Sequence, residues 1–161
     1  MSRNQPTTVF SLLIIGYGKS LRSDDGLGWH VTQELLRIID SPGVEIISCG
    51  QLTGDLAEPI SHAVQVLFVD VARSGPPGEL ICKRVMPTSG AAAFSHQLSP
   101  EELLGITRIL FGACPEALLF SIAGHSFEFG DSVSPQVADC MPALLSRIKE
   151  LVVECEKYPL L

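Results

Sequence analysis

Two aspartates and a histidine are the residues of this sequence best suited to chemistry. Asp25 lies in a glycine-containing loop at residues 16–28, Asp70 ends an apolar run, and His96 lies three residues before the predicted helix cap at Ser99. Two carboxylates and an imidazole suit a divalent first-row metal such as nickel, iron, manganese or zinc. A carboxylate could instead act as a general base on water. Asp25, Asp70 and His96 are therefore the predicted catalytic and metal-contacting residues.

The same region also has a purely structural interpretation. Asp24 could cap the first helix, Asp25 could be a first-turn carboxylate favoured by the helix dipole, and His96 could be a polar loop residue. Spacing alone leaves both interpretations open. His125, in a loop after another apolar run, is a further candidate for contact with substrate.

Several familiar catalytic and cofactor motifs do not fit the sequence. Residues 18–20, Gly-Lys-Ser, resemble the end of a phosphate-binding loop, but Leu13 stands where that loop needs its first glycine. Leu21 replaces the third glycine of a dinucleotide fingerprint, and no acidic residue follows the second strand. The sequence also lacks a G-x-S-x-G elbow and an H-E-x-x-H helix. These absences argue against a nucleotide-binding protein, a serine hydrolase and a zinc protease of those types.

The candidate residues require a sheet whose strand ends meet at one edge. Apolar or β-branched runs alternate with helical patterns, which predicts a three-layer αβα fold with a five-stranded, mostly parallel sheet. Only residues 71–78 separate the third and fourth strands, too few for a parallel crossover, so the fourth strand should be an antiparallel edge strand. The predicted strands cover residues 9–15, 44–47, 64–69, 79–85 and 117–123.

Helix signals in the sequence are equally specific. Helical spacing begins at Leu27, and a short helix is predicted at residues 54–60. Ser99, Pro100 and Glu102 form a capping box, and Ser134 precedes what should be the longest helix. The polar candidate site residues are therefore expected in or beside the loops that connect strand ends to helix starts.

Composition restricts the classes of protein. The 161 residues, 46% of them hydrophobic, are enough for one core, so we expect a single α/β domain over residues 1–161. The net charge of -7 and scattered basic residues argue against nucleic acid as a partner. No signal peptide or bilayer-length apolar run is visible, so we expect a cytoplasmic monomer without a membrane contact. Five cysteines without a C-x-x-C pair are expected to be buried apolar residues.

Taken in order, these motifs resemble the hydrogenase maturation endopeptidases, which process the large subunit of nickel-iron hydrogenases. The resemblance rests on Asp-Asp-Gly-x-Gly at residues 24–28 and on the strand ending at Asp70. It also rests on Ser-His-Gln-Leu at 95–98 and on Val-Ser-Pro at 133–135, where the last predicted helix opens. It extends over nearly the whole chain.

The resemblance implies an enzyme that removes a C-terminal peptide from the large-subunit precursor after nickel insertion. Asp25, Asp70 and His96 would contact nickel that the precursor supplies and the enzyme does not stably bind. Asp25 stands where many members have glutamate, and Lys19 where asparagine is common. Residues 48–51, Ser-Cys-Gly-Gln, resemble the members that serve bidirectional, soluble hydrogenases. The competing hypothesis is a non-catalytic, chaperone-like module that binds the metallated precursor.

Overall fold

In a computed structural model that describes residues 9–88 and 97–157, five strands form one sheet. Their bounds are β1 (Phe10–Tyr17), β2 (Val44–Cys49), β3 (Ala63–Ala72), β4 (Leu80–Val85) and β5 (Glu116–Ala123). The spatial order is β2-β1-β3-β5-β4. The first four strands in that order are parallel, and β4 runs antiparallel to β5 at the edge. The predicted mostly parallel sheet with one antiparallel edge strand is confirmed.

Helices cover both faces of this sheet. Side chains alternate along each strand, so β1 sends Leu12 and Ile14 into one apolar cluster and Leu13 and Ile15 into the other. The first cluster also contains apolar residues of α1 and α4, and the second contains those of α2 and α3. The layers are therefore αβα, as predicted. The helices are α1 (Leu27–Ile38), α2 (Ala57–Ser61), α3 (Pro100–Phe111) and α4 (Pro135–Lys157).

The helix signals in the sequence are confirmed in the structure. The Ser99 hydroxyl accepts a hydrogen bond from the Glu102 backbone N–H at 3.1 Å, which caps α3. Gly112 ends that helix in the left-handed conformation, with φ of 67°. Ser134 precedes α4, which at 23 residues is the longest of the described helices. The predicted short helix consists of a 3-10 turn at Gly54–Leu56 followed by α2.

Two details of the sequence interpretation are wrong. Strand β3 does not end at Asp70 but continues to Ala72, because β5 keeps pairing with it through Ala123. The cysteines are not core residues: Cys82, on the edge strand, and Cys114, in a loop, are exposed, and the other three are half-buried. Across the described ranges, no helix has the length and apolar character needed to cross a membrane.

Candidate active site

A cleft of about 250 Å³ opens at the sheet edge where β1 and β3 end. Parallel strands present their carboxyl ends at the same edge, which is where α/β folds place their ligand sites. Side chains of opposite charge share this cleft. Its lining includes Tyr17, Lys19, Asp25, Asp70, Arg73 and Phe127.

Asp25 reaches the cleft from a 3-10 turn at Ser23–Gly26. One carboxylate oxygen, Oδ2, accepts the Lys19 backbone N–H at 2.9 Å, and the other, Oδ1, lies 3.0 Å from Arg73 Nη2. The loop depends on Gly18, whose φ of 133° is unfavourable for other residues. A Cβ at Gly18 would also lie 2.0 Å from the Asp25 carbonyl oxygen. The glycine therefore permits the approach that places this carboxylate.

Asp70 lies two residues before the end of β3, beside Tyr17 of β1. Its Oδ1 accepts the Val71 backbone N–H at 2.7 Å, and the Tyr17 hydroxyl forms a side-chain hydrogen bond with it. Burial, together with repulsion from Asp25, raises the pKa of Asp70 to about 7 against the lowering effects of Val71, Tyr17 and Arg73. Burial, followed by the Asp70 charge, raises the pKa of the Tyr17 phenol. Tyr17 is therefore a protonated donor to a carboxylate that can exchange a proton near neutrality.

The cleft thus brings together two of the three predicted site residues. Asp25 and Asp70 line it, and the electrostatic effect of one on the other shows that their charges interact. His96 lies outside the described residues, but Gln97 and Leu98, which follow it directly, line the cleft. Within residues 9–88 and 97–157, no three His, Cys, Asp or Glu side chains cluster as a metal site would require. The described cleft therefore contains a pair of carboxylates.

Asp24 has a structural role, but it does not cap the first helix as the structural interpretation expects. Its side chain is 0% exposed and accepts four hydrogen bonds of 2.6–2.9 Å. The donors are the backbone N–H groups of His125, Ser126 and Ser134 and the Ser134 hydroxyl. Burial alone would raise the pKa of Asp24, but these hydrogen bonds lower it below its usual value. Asp24 therefore anchors the loop between β5 and α4 to the glycine loop.

The loop anchored by Asp24 contains two further residues near the cleft. Phe127 lines the cleft, and the Arg73 guanidinium lies 4.5 Å from the centre of its ring. The His125 side chain is exposed and does not line the cleft among the described residues, so its role in substrate contact stays a prediction. Sequence inspection missed Arg73 and Phe127 because their contacts join distant segments, and neither belongs to a recognisable motif.

An exposed apolar groove lies beside the cleft and shares Gly18, Lys19, Arg22 and Gly50 with it. This groove also contains Leu21, Trp29 and Phe129, which are 55%, 41% and 84% exposed. Trp29, the single tryptophan of the sequence, lines this groove.

No protein-family model and no curated protein matches this chain. Solved structures do match. The hydrogenase maturating endopeptidase HybD from E. coli aligns with a TM-score of 0.74 and 22% identity over 89% of this chain and 92% of that one. The nickel-iron hydrogenase maturation protease HycI from Thermococcus kodakarensis gives 0.69 and 24% over 95% of both chains. A hydrogenase 2 maturation peptidase from a Thaumarchaeota archaeon gives 0.67 and 23% over 88% and 97%. At these identities, the likeness shows that the chains share a fold over nearly their whole lengths.

Proposed function

We propose that this chain is a hydrogenase maturation endopeptidase that removes the C-terminal peptide of a nickel-iron hydrogenase large-subunit precursor. The observation that carries the proposal is the cleft at the carboxyl edge of the sheet, where Asp25 and Asp70 meet and Asp70 has a pKa of about 7. The shared fold with three structures named as hydrogenase maturation proteases or peptidases supports the same activity. The Ser-Cys-Gly-Gln sequence at residues 48–51 favours a bidirectional or soluble hydrogenase as the source of the precursor, met in the cytoplasm.

In this proposal, nickel belongs to the substrate. Asp25, Asp70 and His96 contact nickel that the precursor already holds, and this coordination places the adjacent peptide bond in the cleft. Gln97, which lines the cleft, brings the chain there one residue after His96. Fixing a reactive bond beside a catalytic group lowers the activation barrier by removing rotational and translational freedom. Recognition of the nickel and positioning of the adjacent peptide bond then occur in the same binding step.

Asp70 is the group best suited to move the proton. A general base works best when its pKa is near the working pH, and burial brings Asp70 there. Its carboxylate accepts a proton from water while the water oxygen attacks the peptide carbonyl carbon. The protonated Asp70 then returns that proton to the leaving amine as the C–N bond breaks. A carboxylate has about four lone-pair positions, so the Val71 hydrogen bond leaves others for the substrate.

The experiment uses purified protein and matched precursors with and without nickel, and mass spectrometry follows loss of the C-terminal peptide. We expect the nickel-loaded precursor to be cleaved and the nickel-free precursor to be ignored. His96→Ala should slow cleavage of the loaded precursor toward the nickel-free rate. His62→Ala is the matched control because His62 contacts the start of β1, at the opposite end of the sheet.

Each other outcome contradicts a different part of the proposal. Equal cleavage of both precursors would refute nickel recognition and leave the protease assignment standing. Binding of the loaded precursor without any cleavage would instead support the chaperone-like module.

A further inference from the structure

Arg73 covers the solvent side of the Asp25 carboxylate. Its Nη2 lies 3.0 Å from Asp25 Oδ1, and the Arg73 side chain is 67% exposed, whereas that of Asp25 is 13% exposed. The aromatic ring of Phe127 supports the guanidinium from one side, 4.5 Å from its carbon atom. An exposed cation is therefore held against a nearly buried anion.

This contact engages Oδ1 of Asp25. The other oxygen, Oδ2, accepts the Lys19 backbone N–H, which the glycine loop fixes in place. A metal cation that binds Asp25 through Oδ1 would lie beside the guanidinium, and repulsion between the two positive charges favours departure of the Arg73 side chain. The charge of Arg73 also acts on Asp70, whose pKa it lowers. Arg73 thus places positive charge near both carboxylates, as a bound metal cation would.

We propose that Arg73 is a displaceable counter-ion that lowers the affinity of the cleft for free divalent cations. The inference rests on the proposed function, in which Asp25 and Asp70 contact nickel held by the precursor. An arginine on the surface can leave readily, because exposed ion pairs contribute little free energy. A precursor forms many other contacts with the enzyme, and these can supply the free energy needed to displace Arg73. A free ion has only its bonds to the site. Arg73 is then a specificity-determining residue that reserves the carboxylates for metal presented by the substrate.

The full-length protein is titrated with Ni²⁺ alone by isothermal calorimetry. We expect Arg73→Gln to bind Ni²⁺ about tenfold more tightly than wild type, equivalent to about 1.4 kcal/mol. Arg73→Lys, which keeps the charge but loses the planar fork, should fall between them. Arg22→Gln is the matched control, because Arg22 lines the cleft and, among the ion pairs of the described residues, its side chain has none with Asp25. It should change the affinity by about twofold or less, since its charge acts from a longer distance.

A second measurement ties the gain to Asp25. Adding Asp25→Asn to Arg73→Gln should abolish the increase, whereas adding Glu116→Gln, which changes the net charge by the same amount at the exposed start of β5, should leave the increase in place. In processing assays, free Ni²⁺ should inhibit Arg73→Gln at about tenfold lower concentration than wild type.

The outcomes separate this inference from the proposed function. The inference alone fails if wild type processes nickel-loaded precursor but Arg73→Gln binds Ni²⁺ no more tightly than Arg22→Gln, or if neither binds measurably. Both fail if no variant binds Ni²⁺ and wild type leaves the loaded precursor intact.

Discussion

Asp24 and Asp25 are adjacent in the chain, but they belong to regions with opposite properties. Asp24 is fully buried and accepts four hydrogen bonds from the loop between β5 and α4. Asp25 faces a cleft with one backbone donor and one exposed arginine as its partners. A buried carboxylate that accepts four hydrogen bonds from its own chain is suited to holding the structure together. One with a removable partner can bind something else.

Asp70 extends the comparison, because it is partly buried and has few donors. Burial acts on the pKa of both Asp24 and Asp70 in the same direction, yet the pKa of Asp24 is lowered and that of Asp70 is raised to about 7. The difference lies in the number of hydrogen bonds each carboxylate accepts and in the repulsion that Asp25 exerts on Asp70. The anchor and the cleft therefore use the same functional group for stability and for reactivity.

The largest effect is expected when the negative charge of Asp70 is removed from the cleft. Asp70→Asn keeps the shape of the side chain but can neither accept a proton nor contact nickel as an anion. We expect cleavage of nickel-loaded precursor to fall by about 10²- to 10⁴-fold, while stability at neutral pH is retained. Initial rates from mass spectrometry and urea denaturation measure the two effects. Processing at the wild-type rate would remove Asp70 from the site.

Removing the negative charge of Asp24 should instead lower the stability of the fold. Asp24→Asn places an amide NH₂ among donors, so we expect the free energy of unfolding to fall by about 3 kcal/mol. Ser134→Ala, which removes one of the four donors, should lower it by about 1 kcal/mol. Denaturant unfolding measures both variants. A smaller loss for Asp24→Asn than for Ser134→Ala would show that the anchor is not the charged centre of this network.

The smallest expected effect is a difference between Asp70 and Asp24 in how their contributions to stability depend on pH. The pKa of Asp70 is raised on folding, so its contribution to stability is present in acid and is lost as pH rises toward 7. The pKa of Asp24 is lowered, so its contribution is present above the usual aspartate value and is lost as pH falls below it. Between about pH 6 and about pH 7, the free energy of unfolding of wild type should therefore fall by about 1 kcal/mol relative to that of Asp70→Asn. Unfolding curves at several pH values test this, and parallel pH profiles for the two proteins would contradict it.

Local sequence patterns were enough to predict the sheet and its antiparallel edge strand, and they placed Asp25 and Asp70 near the carboxyl ends of strands. Those features follow from alternation, helix caps and the short link at residues 71–78, all of which operate over a few residues. The roles of Asp24 and Arg73 could not be predicted in this way. Asp24 bonds to residues 101–110 positions away, and Arg73 pairs with a residue 48 positions away. Such contacts exist only once the chain has folded, and nothing in the local pattern distinguishes Asp24 from Asp25.

The anchor at Asp24 also has a consequence for the order of synthesis. A ribosome that adds about 5–20 residues per second needs roughly 5–20 seconds to proceed from Asp24 to Ser134, its most distant donor. During that interval the nascent chain already contains Asp25 and Asp70, but the glycine loop lacks the contacts that fix it. Phe127, which supports Arg73, also arrives late. The two cleft aspartates therefore acquire the geometry described above only near the end of translation.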